Sequence, residues 1–519
     1  MIRLNLRLRR WFLTIWFLAL WAFLAVFPPA YQNYYPTSAD REVFLTGIQR
    51  NSGMVAMWGP LDAPASLGQI VMWEAGSMMI ILGSVMAVLL MVGVHRRSEA
   101  LGLTELQLST GIARAAPARA AIVSTAIASL ILGAGSTAVL AASGTYVEEM
   151  PLDGALASGA VIALTAFGSA VLAHLVLLFV GNAAALTRAA LFTIAASFAL
   201  RSLADSEGWD WLNWVSPLGW KTQVRPYVDN DWTALTIIAL ICVAGATALL
   251  LAERRREYGA ALVRLPSLLP SRTRRIQGPL HLAGVLYRAT IGAWVAVIAG
   301  LNGFFIALTG SLTEWMEAEE SVGKIFDDIF GGGDMKTEFI YYILKLMGIL
   351  IATMGVQILV SYRSAEVDRT VDLQRSTGLR RWIPHAAATV LAVLGILAAT
   401  VGAHVGGAVG LWTQETTVAD DYQSLLTATW SQLAPSLLLA GIAVLLVGWV
   451  PRFIHVAWAP VVVAAILTLF GPVLNAPQWL IDLSPFEYVD QWGAQGAMGI
   501  GAVALIVLGL VGSQRRDIR

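Results

Sequence analysis

Long apolar runs constrain this chain more than any other feature. Of its 519 residues, 57% are hydrophobic and only 13% are charged. A helix of about 20 apolar residues spans the ~30 Å of bilayer hydrocarbon. Because lipid offers no hydrogen-bond partners, the backbone N–H and C=O groups of such a run must bond to one another, as they do in a helix. The sequence therefore predicts an all-α integral membrane protein with about twelve transmembrane helices. The predicted spans fall near residues 11–28, 69–94, 119–142, 154–180, 184–204, 232–252, 284–309, 338–361, 384–410, 429–450, 454–472 and 493–513.

The first apolar run has two interpretations, a secretory signal or a retained first helix. The basic start MIRLNLRLRR followed by Trp11 to Phe27 resembles a secretory signal. The run is long and aromatic, however, and it leads into Pro28-Pro29 without a small-residue cleavage site. Signal peptides end in such a site, so a retained first helix is favoured.

Charged residues separate by side of the predicted membrane. The arginine-rich loops contain Arg96, Arg97, Arg114, Arg119, Arg254, Arg255, Arg256, Arg272, Arg274, Arg275, Arg363, Arg369, Arg375, Arg380, Arg381, Arg515 and Arg516. The loops on the other side contain Glu314, Glu317, Glu319, Glu320, Asp327, Asp328, Glu415, Asp420 and Asp421. Cytoplasmic loops carry the excess of Lys and Arg. The pattern predicts a multi-pass membrane protein with both termini in the cytoplasm.

Two internal repeats indicate a duplicated chain. The segment from Arg96 to Arg114 recurs as Arg363 to Arg381, so that Glu99 aligns with Glu366 at an offset of 267 residues. A second pair, Trp211–Trp220 and Trp479–Tyr488, recurs at an offset of 268. Six spans separate the copies, so the halves are predicted to share one orientation, as parallel repeats. The predicted divisions are a first six-helix half (1–252), a basic cytoplasmic linker (253–280) and a second six-helix half (281–519).

Motifs for chemistry within the chain are absent from the sequence. No G-x-x-x-x-G-K-[ST] phosphate loop occurs, and His174 and His404 each stand alone within apolar runs, where a packed histidine is the usual explanation. The single cysteine, Cys242, excludes an intrachain disulfide. The sequence predicts no catalytic residue, no metal site, no cofactor bound by this chain and no nucleic-acid partner.

The repeated segment resembles the coupling segment of type-2 ABC exporter permeases, and the twelve-span organisation resembles the polyketide-antibiotic (tetronasin-like) exporters of actinobacteria. The matching positions are Glu99, Gly102, Glu105, Leu106, Leu108, Thr110, Gly111 and Arg114, and in the second copy Glu366, Asp372, Leu373, Thr377, Gly378 and Arg381. The second copy departs from the first where Gly102 becomes Arg369, Glu105 becomes Asp372 and Leu108 becomes Arg375.

This resemblance implies a short helix that docks in a groove of a separate ATPase subunit. Two copies of that ATPase, which bind ATP and Mg²⁺, would serve one chain. The leucines would supply apolar contacts, and Glu99 and Glu105 would meet basic groups of the partner. A generic amphipathic surface helix is the alternative interpretation of a single copy.

The second repeat has a less specific interpretation. In the related permeases a pair of short re-entrant helices after the fifth span forms an external gate. The corresponding positions here are Trp211, Trp214, Ser216, Pro217, Trp479, Ser484, Pro485 and Phe486. Aromatic anchoring at the membrane interface explains the tryptophans equally well.

Three functions compete at this stage. The first is the permease of an ATP-driven exporter of hydrophobic or amphipathic compounds such as antibiotics and drugs. The second is a self-contained proton- or sodium-coupled carrier, for which Glu74 is the main membrane-depth carboxylate. The third is a membrane enzyme or scaffold, which no convergent set of Asp, Glu and His supports. The resemblance favours the first.

Overall fold

Twelve long helices dominate the computed structural model, which describes residues 1–50, 52–147, 149–180, 185–262, 276–310, 334–414, 418–471 and 476–516. Within these residues every regular element is helical. In this described part of the chain, twelve helices are long and apolar enough to cross a membrane, so the predicted all-α membrane fold with about twelve spans is confirmed. They are α1 Arg10–Tyr34, α2 Leu67–Ala100, α3 Ala116–Ser143, α4 Leu152–Leu177, α5 Leu186–Glu207, α6 Trp232–Arg255, α7 Pro279–Ala307, α8 Lys336–Val367, α9 Ile383–Trp412, α10 Ala419–Trp449, α11 Pro451–Leu469 and α12 Trp492–Arg515.

The chain divides into two compact units, Met1–Ser271 and Arg272–Arg519, with six of these helices in each. The predicted linker, 253–280, begins within α6, which continues to Arg255. Residues 263–275 of that linker, and most of the predicted acidic loop between α7 and α8, lie outside the described part of the chain.

In unit 1 the central helix is α4, which packs against α2, α3 and α6. Small residues bring α3 and α4 into backbone contact. A Cβ added to Gly133 would lie 2.3 Å from the carbonyl oxygen of Gly159. Small residues at such crossings let membrane helices approach closely, where dispersion contacts rather than hydrophobic burial hold them together.

Unit 2 is built around α8, which packs against α9, α10 and α11. Glycine contacts recur here between α10 and α12. A Cβ added to Gly448 would lie 2.0 Å from the carbonyl oxygen of Gly509. A larger side chain at either glycine would force these two helices apart.

The start of α2 is irregular. Ser66 caps it by accepting a hydrogen bond from the backbone N–H of Gln69 at 3.3 Å, and the chain then passes through a π-helical turn at Met72–Gly76. π-turns widen a helix locally and reorient a side chain. Glu74 lies in this turn, and its carboxylate accepts a hydrogen bond from the hydroxyl of Tyr31 on α1.

Candidate functional site

The two repeated segments, here repeat segment 1 (residues 96–114) and repeat segment 2 (residues 363–381), fold along the same path. Each begins at the end of a long helix, α2 or α8, and continues into a six-residue helix. The six-residue helices are Leu103–Leu108 and Thr370–Arg375, which correspond residue for residue at the offset of 267. The sequence repeat is therefore also a structural repeat.

Residues with left-handed backbone conformation set this path. Gly102 has φ +73° and Arg369 has φ +57° before the six-residue helices, and Gly111 (+82°) and Gly378 (+84°) follow them. Only glycine adopts this region without steric cost. Repeat segment 2 therefore keeps the backbone turn although Arg369 stands where repeat segment 1 has Gly102. The left-handed conformation of a residue other than glycine costs about 1–2 kcal/mol.

Glu99 anchors repeat segment 1 to the interior of unit 1. Its Oε2 lies 3.0 Å from Arg96 Nη1 and 2.6 Å from Arg256 Nη2. Its Oε1 accepts hydrogen bonds from Arg256 Nη1 at 2.8 Å and from the backbone N–H of Gly259 at 2.6 Å. Burial disfavours the charge on Arg256, but hydrogen bonds to Glu99 and the nearby Glu253 carboxylate raise its pKa overall.

Glu366 makes the equivalent anchor in unit 2. Its Oε2 lies 2.8 Å from Arg363 Nη1, and its Oε1 lies 2.5 Å from Arg516 Nη2. Arg375 Nη2 approaches the same Oε1 at 3.1 Å, and the Tyr362 hydroxyl donates to it at 3.2 Å. In both units a buried carboxylate therefore pairs with an arginine three residues earlier and with the arginine that follows the sixth span.

These anchors change the roles expected of Glu99 and Glu366. The sequence interpretation directed Glu99 toward basic groups of a partner, but its carboxylate is enclosed by arginines of its own chain. Glu105 and Asp372 remain exposed acidic residues on the six-residue helices. Glu99 and Glu366 thus position the segments, and the acidic residues open to a partner are Glu105 in the first copy and Asp368 and Asp372 in the second.

Each segment exposes large apolar side chains. In repeat segment 1, Leu106 is 69% exposed and Leu101 and Leu103 are exposed beside it; in repeat segment 2, Leu373 is 73% exposed. The inner face is held by buried Thr104 in the first copy. Buried Glu99 and Glu366 fix the two segments to their units, while these apolar side chains remain exposed. Such a surface is suited to docking in an apolar groove of another protein.

The other predicted positions fill local roles. Leu108 is half-buried, and the hydroxyls of Thr110 and Thr377 donate to carbonyls three residues earlier, at 2.6 and 2.7 Å. Arg114 is exposed and donates to the Arg256 carbonyl at 2.7 Å, with its guanidinium over the Tyr258 ring. Gly111, Gly378 and Arg381 are exposed.

Sequence reasoning missed the arginine partners. Arg256 and Arg516 each follow a 24-residue sixth span, 260 residues apart, which is a signal that the sequence contains. Both were counted only as orientation signals.

The second repeat also recurs in structure. Trp211 and Trp479 are exposed, whereas Ser216 and Ser484 are buried. The Ser216 hydroxyl donates to the carbonyl of Ser197 on α5 at 2.7 Å, and Ser484 pairs with Thr468 on α11 at 2.7 Å. Each serine thus joins the segment to the fifth span of its own unit. Of the other predicted gate residues, the buried ones are Pro217 and Phe486 and the half-buried ones are Trp214 and Pro485.

Lys221 ties the same region of unit 1 together. Its Nζ donates to the carbonyls of Trp58 at 3.0 Å and Trp73 at 3.1 Å and to the hydroxyl of Ser77 at 2.6 Å. Burial lowers the pKa of Lys221 to about 7, and the nearby Arg201 acts in the same direction.

The fold and the repeated segments define a multi-pass membrane protein assembled from two six-span units. Residues 276–513 match the family described as "Multidrug efflux system permease Rv1217c, C-terminal domain". Over an alignment of 541 residues, covering 100% of this chain and 95% of the relative, the chain is 28% identical to "Multidrug efflux system permease protein Rv1217c" of Mycobacterium tuberculosis. The chain is thus similar to multidrug efflux permeases over its second half and, at 28% identity, over its full length. This similarity supports a membrane permease for drug export.

Proposed function

We propose that this chain is the membrane subunit of an ATP-driven ABC exporter that moves hydrophobic or amphipathic compounds out of the cell. Two copies of a separate ATPase dock on repeat segments 1 and 2, one copy on each. The observation that carries the proposal is the duplicated surface itself: Leu106 and Leu373 stand exposed on short helices at equivalent positions of the two units.

The ion pairs of Glu99 and Glu366 would transmit motion from the docked ATPases to the membrane helices. ATP binding draws the two ATPases together and displaces the docked segments. Glu99 joins repeat segment 1 to the end of α6 through Arg256, and Glu366 joins repeat segment 2 to the end of α12 through Arg516. A push on either segment therefore moves the sixth span of its unit together with the second. Rigid-body motion of whole elements is the general means by which such repeats alternate access.

Few fixed charges at membrane depth favour hydrophobic or amphipathic passengers. A charge in lipid requires a partner, and passengers that carry none avoid that cost. The name of the mycobacterial relative, a multidrug efflux permease, supports the same substrate class for this chain. Antibiotics and other lipophilic drugs are the proposed passengers.

The alternative is a proton- or sodium-coupled carrier that works without an ATPase. In that case Glu74 is the residue expected to bind the coupling ion, and its hydrogen bond from Tyr31 would break and re-form with each cycle. The carrier requires a titrating carboxylate at this position. The ATP-driven exporter does not.

Reconstituted transport separates the two proposals. The chain is placed in liposomes alone or with an ABC ATPase co-expressed as its proposed partner, and efflux of a lipophilic drug is driven either by ATP or by a pH gradient. We expect transport only with ATPase and ATP, and we expect Glu74→Gln to retain most of it. Transport by the chain alone under a pH gradient, lost in Glu74→Gln, would establish the carrier.

A further inference from the structure

Two histidines and a glutamate meet at the end of unit 1 from which repeat segment 1 projects. His95 lies at the end of α2, His174 near the end of α4 and Glu253 near the end of α6. Glu253 Oε1 lies 3.3 Å from His95 Nε2 and 3.8 Å from His174 Nε2. At most 4% of each side chain is exposed. Three different helices thus direct potential ligand atoms into one enclosed space.

The polar atoms of this group lie close to one another but do not meet the geometry of a hydrogen bond. Both ring nitrogens of His95, both ring nitrogens of His174 and Oε1 of Glu253 are buried without one. A buried polar atom without a partner costs about 1–3 kcal/mol, and folded proteins satisfy nearly all such atoms. Five of them on three touching side chains point to a bound species that supplies the missing interactions.

The surrounding charges leave the site available to a cation. Glu253 Oε2 already pairs with Arg256 Nη2 at 3.0 Å, while Glu99 pairs with both Arg96 and Arg256. The two arginines and two glutamates balance one another. What remains is one free carboxylate oxygen facing two imidazoles, a donor set typical of a divalent transition metal.

We propose that His95, His174 and Glu253 bind one divalent transition-metal ion of the zinc class. Ligand atoms about 2.0–2.2 Å from a tetrahedral zinc ion lie roughly 3.3–3.5 Å from one another. The distances here are 3.3 and 3.8 Å, and the three potential ligand atoms all lie within 4.8 Å of one another. Small side-chain rotations complete the three-ligand set and leave a fourth position for water. The ion fixes Glu253 and, through Arg256, the anchor of repeat segment 1.

Unit 2 has no equivalent of this site at the corresponding positions. Tyr362 takes the place of His95 at the offset of 267. Ser513 takes the place of Glu253, because both residues lie three positions before the arginine that follows the sixth span of their unit. His385, on α9, stacks on Tyr362, and its Nδ1 lies 2.6 Å from Ser513 Oγ, so it already has a hydrogen-bond partner. The proposal therefore predicts one ion per chain, in unit 1.

Metal titration of the purified full-length chain tests the site. The chain is stripped with chelator in detergent and loaded with Zn²⁺, and bound metal is counted by mass spectrometry; Co²⁺ substitution reports the coordination through its visible absorption. We expect one ion per chain. Loss of a group that only supports a metal ligand weakens metal binding by ~10–100-fold. His174→Gln removes a ligand itself, so it is expected to weaken Zn²⁺ binding by at least as much. The matched control, His385→Gln, is expected to bind as wild type does.

Thermal unfolding keeps the test decisive if a variant folds poorly. Zn²⁺ is expected to raise the Tm of wild type and of His385→Gln, and to leave the Tm of His174→Gln and His95→Asn unchanged. The proposal is overturned if wild type binds no Zn²⁺ or if His174→Gln binds it as tightly as wild type. A wild-type Tm that Zn²⁺ leaves unchanged would equally overturn it.

Discussion

Glu99 and Arg256 are separated by 157 positions in the chain, yet their side chains form a two-point ion pair with distances of 2.6 and 2.8 Å. The pair joins the end of α2 to the residue that follows α6. It is buried, and Glu366 with Arg516 repeats the connection in unit 2 at 2.5 Å. The repeated segments are therefore fixed to the spans that precede them and to the sixth span of the same unit.

Glu99→Ala is expected to destabilise unit 1 by about 3–5 kcal/mol, because it leaves the buried Arg256 guanidinium without its main partner. Thermal unfolding in detergent measures the effect. Glu105→Ala, in the same segment but exposed, is the matched control and is expected to change stability by no more than ~0.5 kcal/mol. Equal losses from the two substitutions would contradict the anchor.

The anchor of unit 2 is tested by a double-mutant cycle between Glu366 and Arg516. We expect a coupling free energy of about 1–3 kcal/mol, since both side chains are largely shielded and in direct contact. The exposed pair of Arg225 and Asp62, whose charged atoms lie 3.1 Å apart, serves as a comparison and is expected to couple by less than ~1 kcal/mol. A cycle in which the Glu366 and Arg516 substitutions simply add would show that no anchor exists here.

Arg369→Gly is expected to stabilise unit 2 by up to about 1 kcal/mol, because it removes the side chain from a backbone at φ +57°. Unfolding temperature measures the gain. The reverse change in unit 1, Gly102→Arg at φ +73°, is expected to lower stability by a similar amount. A loss of stability in Arg369→Gly would mean that the arginine side chain contributes more than its backbone strain costs.

Lys221 is expected to make stability depend on pH. An unfolded lysine holds its proton up to about pH 10.4, whereas burial lowers the pKa of Lys221 in the folded protein to about 7. Between these values the unfolded state binds more protons, so stability rises with pH by up to ~1.4 kcal/mol per pH unit. Below about pH 7 both states are protonated and the contribution to the slope disappears.

Lys221→Met removes this titration. The variant is expected to be less stable because the carbonyls of Trp58 and Trp73 lose their donor, and its unfolding free energy is expected to rise less steeply between pH 7 and 10 than that of wild type. Parallel stability curves for the two proteins across this range would refute the assignment.

Much of the fold was predictable because the controlling forces leave periodic or local signals. Apolar length predicted all twelve spans, and the repeat of Ser-Thr-Gly at 109–111 and 376–378 predicted that both segments follow one path. Bilayer thickness fixes the first signal. The left-handed turn at Gly111 and Gly378 accounts for the second.

The anchors were not predictable in the same way because they depend on contacts between distant residues. Nothing near Glu99 in the sequence indicates that Arg256 will enclose it, and a short polar helix does not reveal which of its acids faces inward. The same holds for His174, which stands alone in its run and meets His95 and Glu253 only when α2, α4 and α6 end at one level. For the same reason the sequence predicted no metal site, in contrast to the one now proposed.

Native mass spectrometry of the chain purified with its ATPase tests the central claim most directly. Docking on the two exposed surfaces predicts two ATPases per chain, one after Leu106→Glu or Leu373→Glu, and none in the double variant. Leu152→Glu makes the same change at an exposed leucine at the opposite end of unit 1, and it is expected to retain two. A double variant that still carries two ATPases, or a wild-type chain that carries none, would contradict the account.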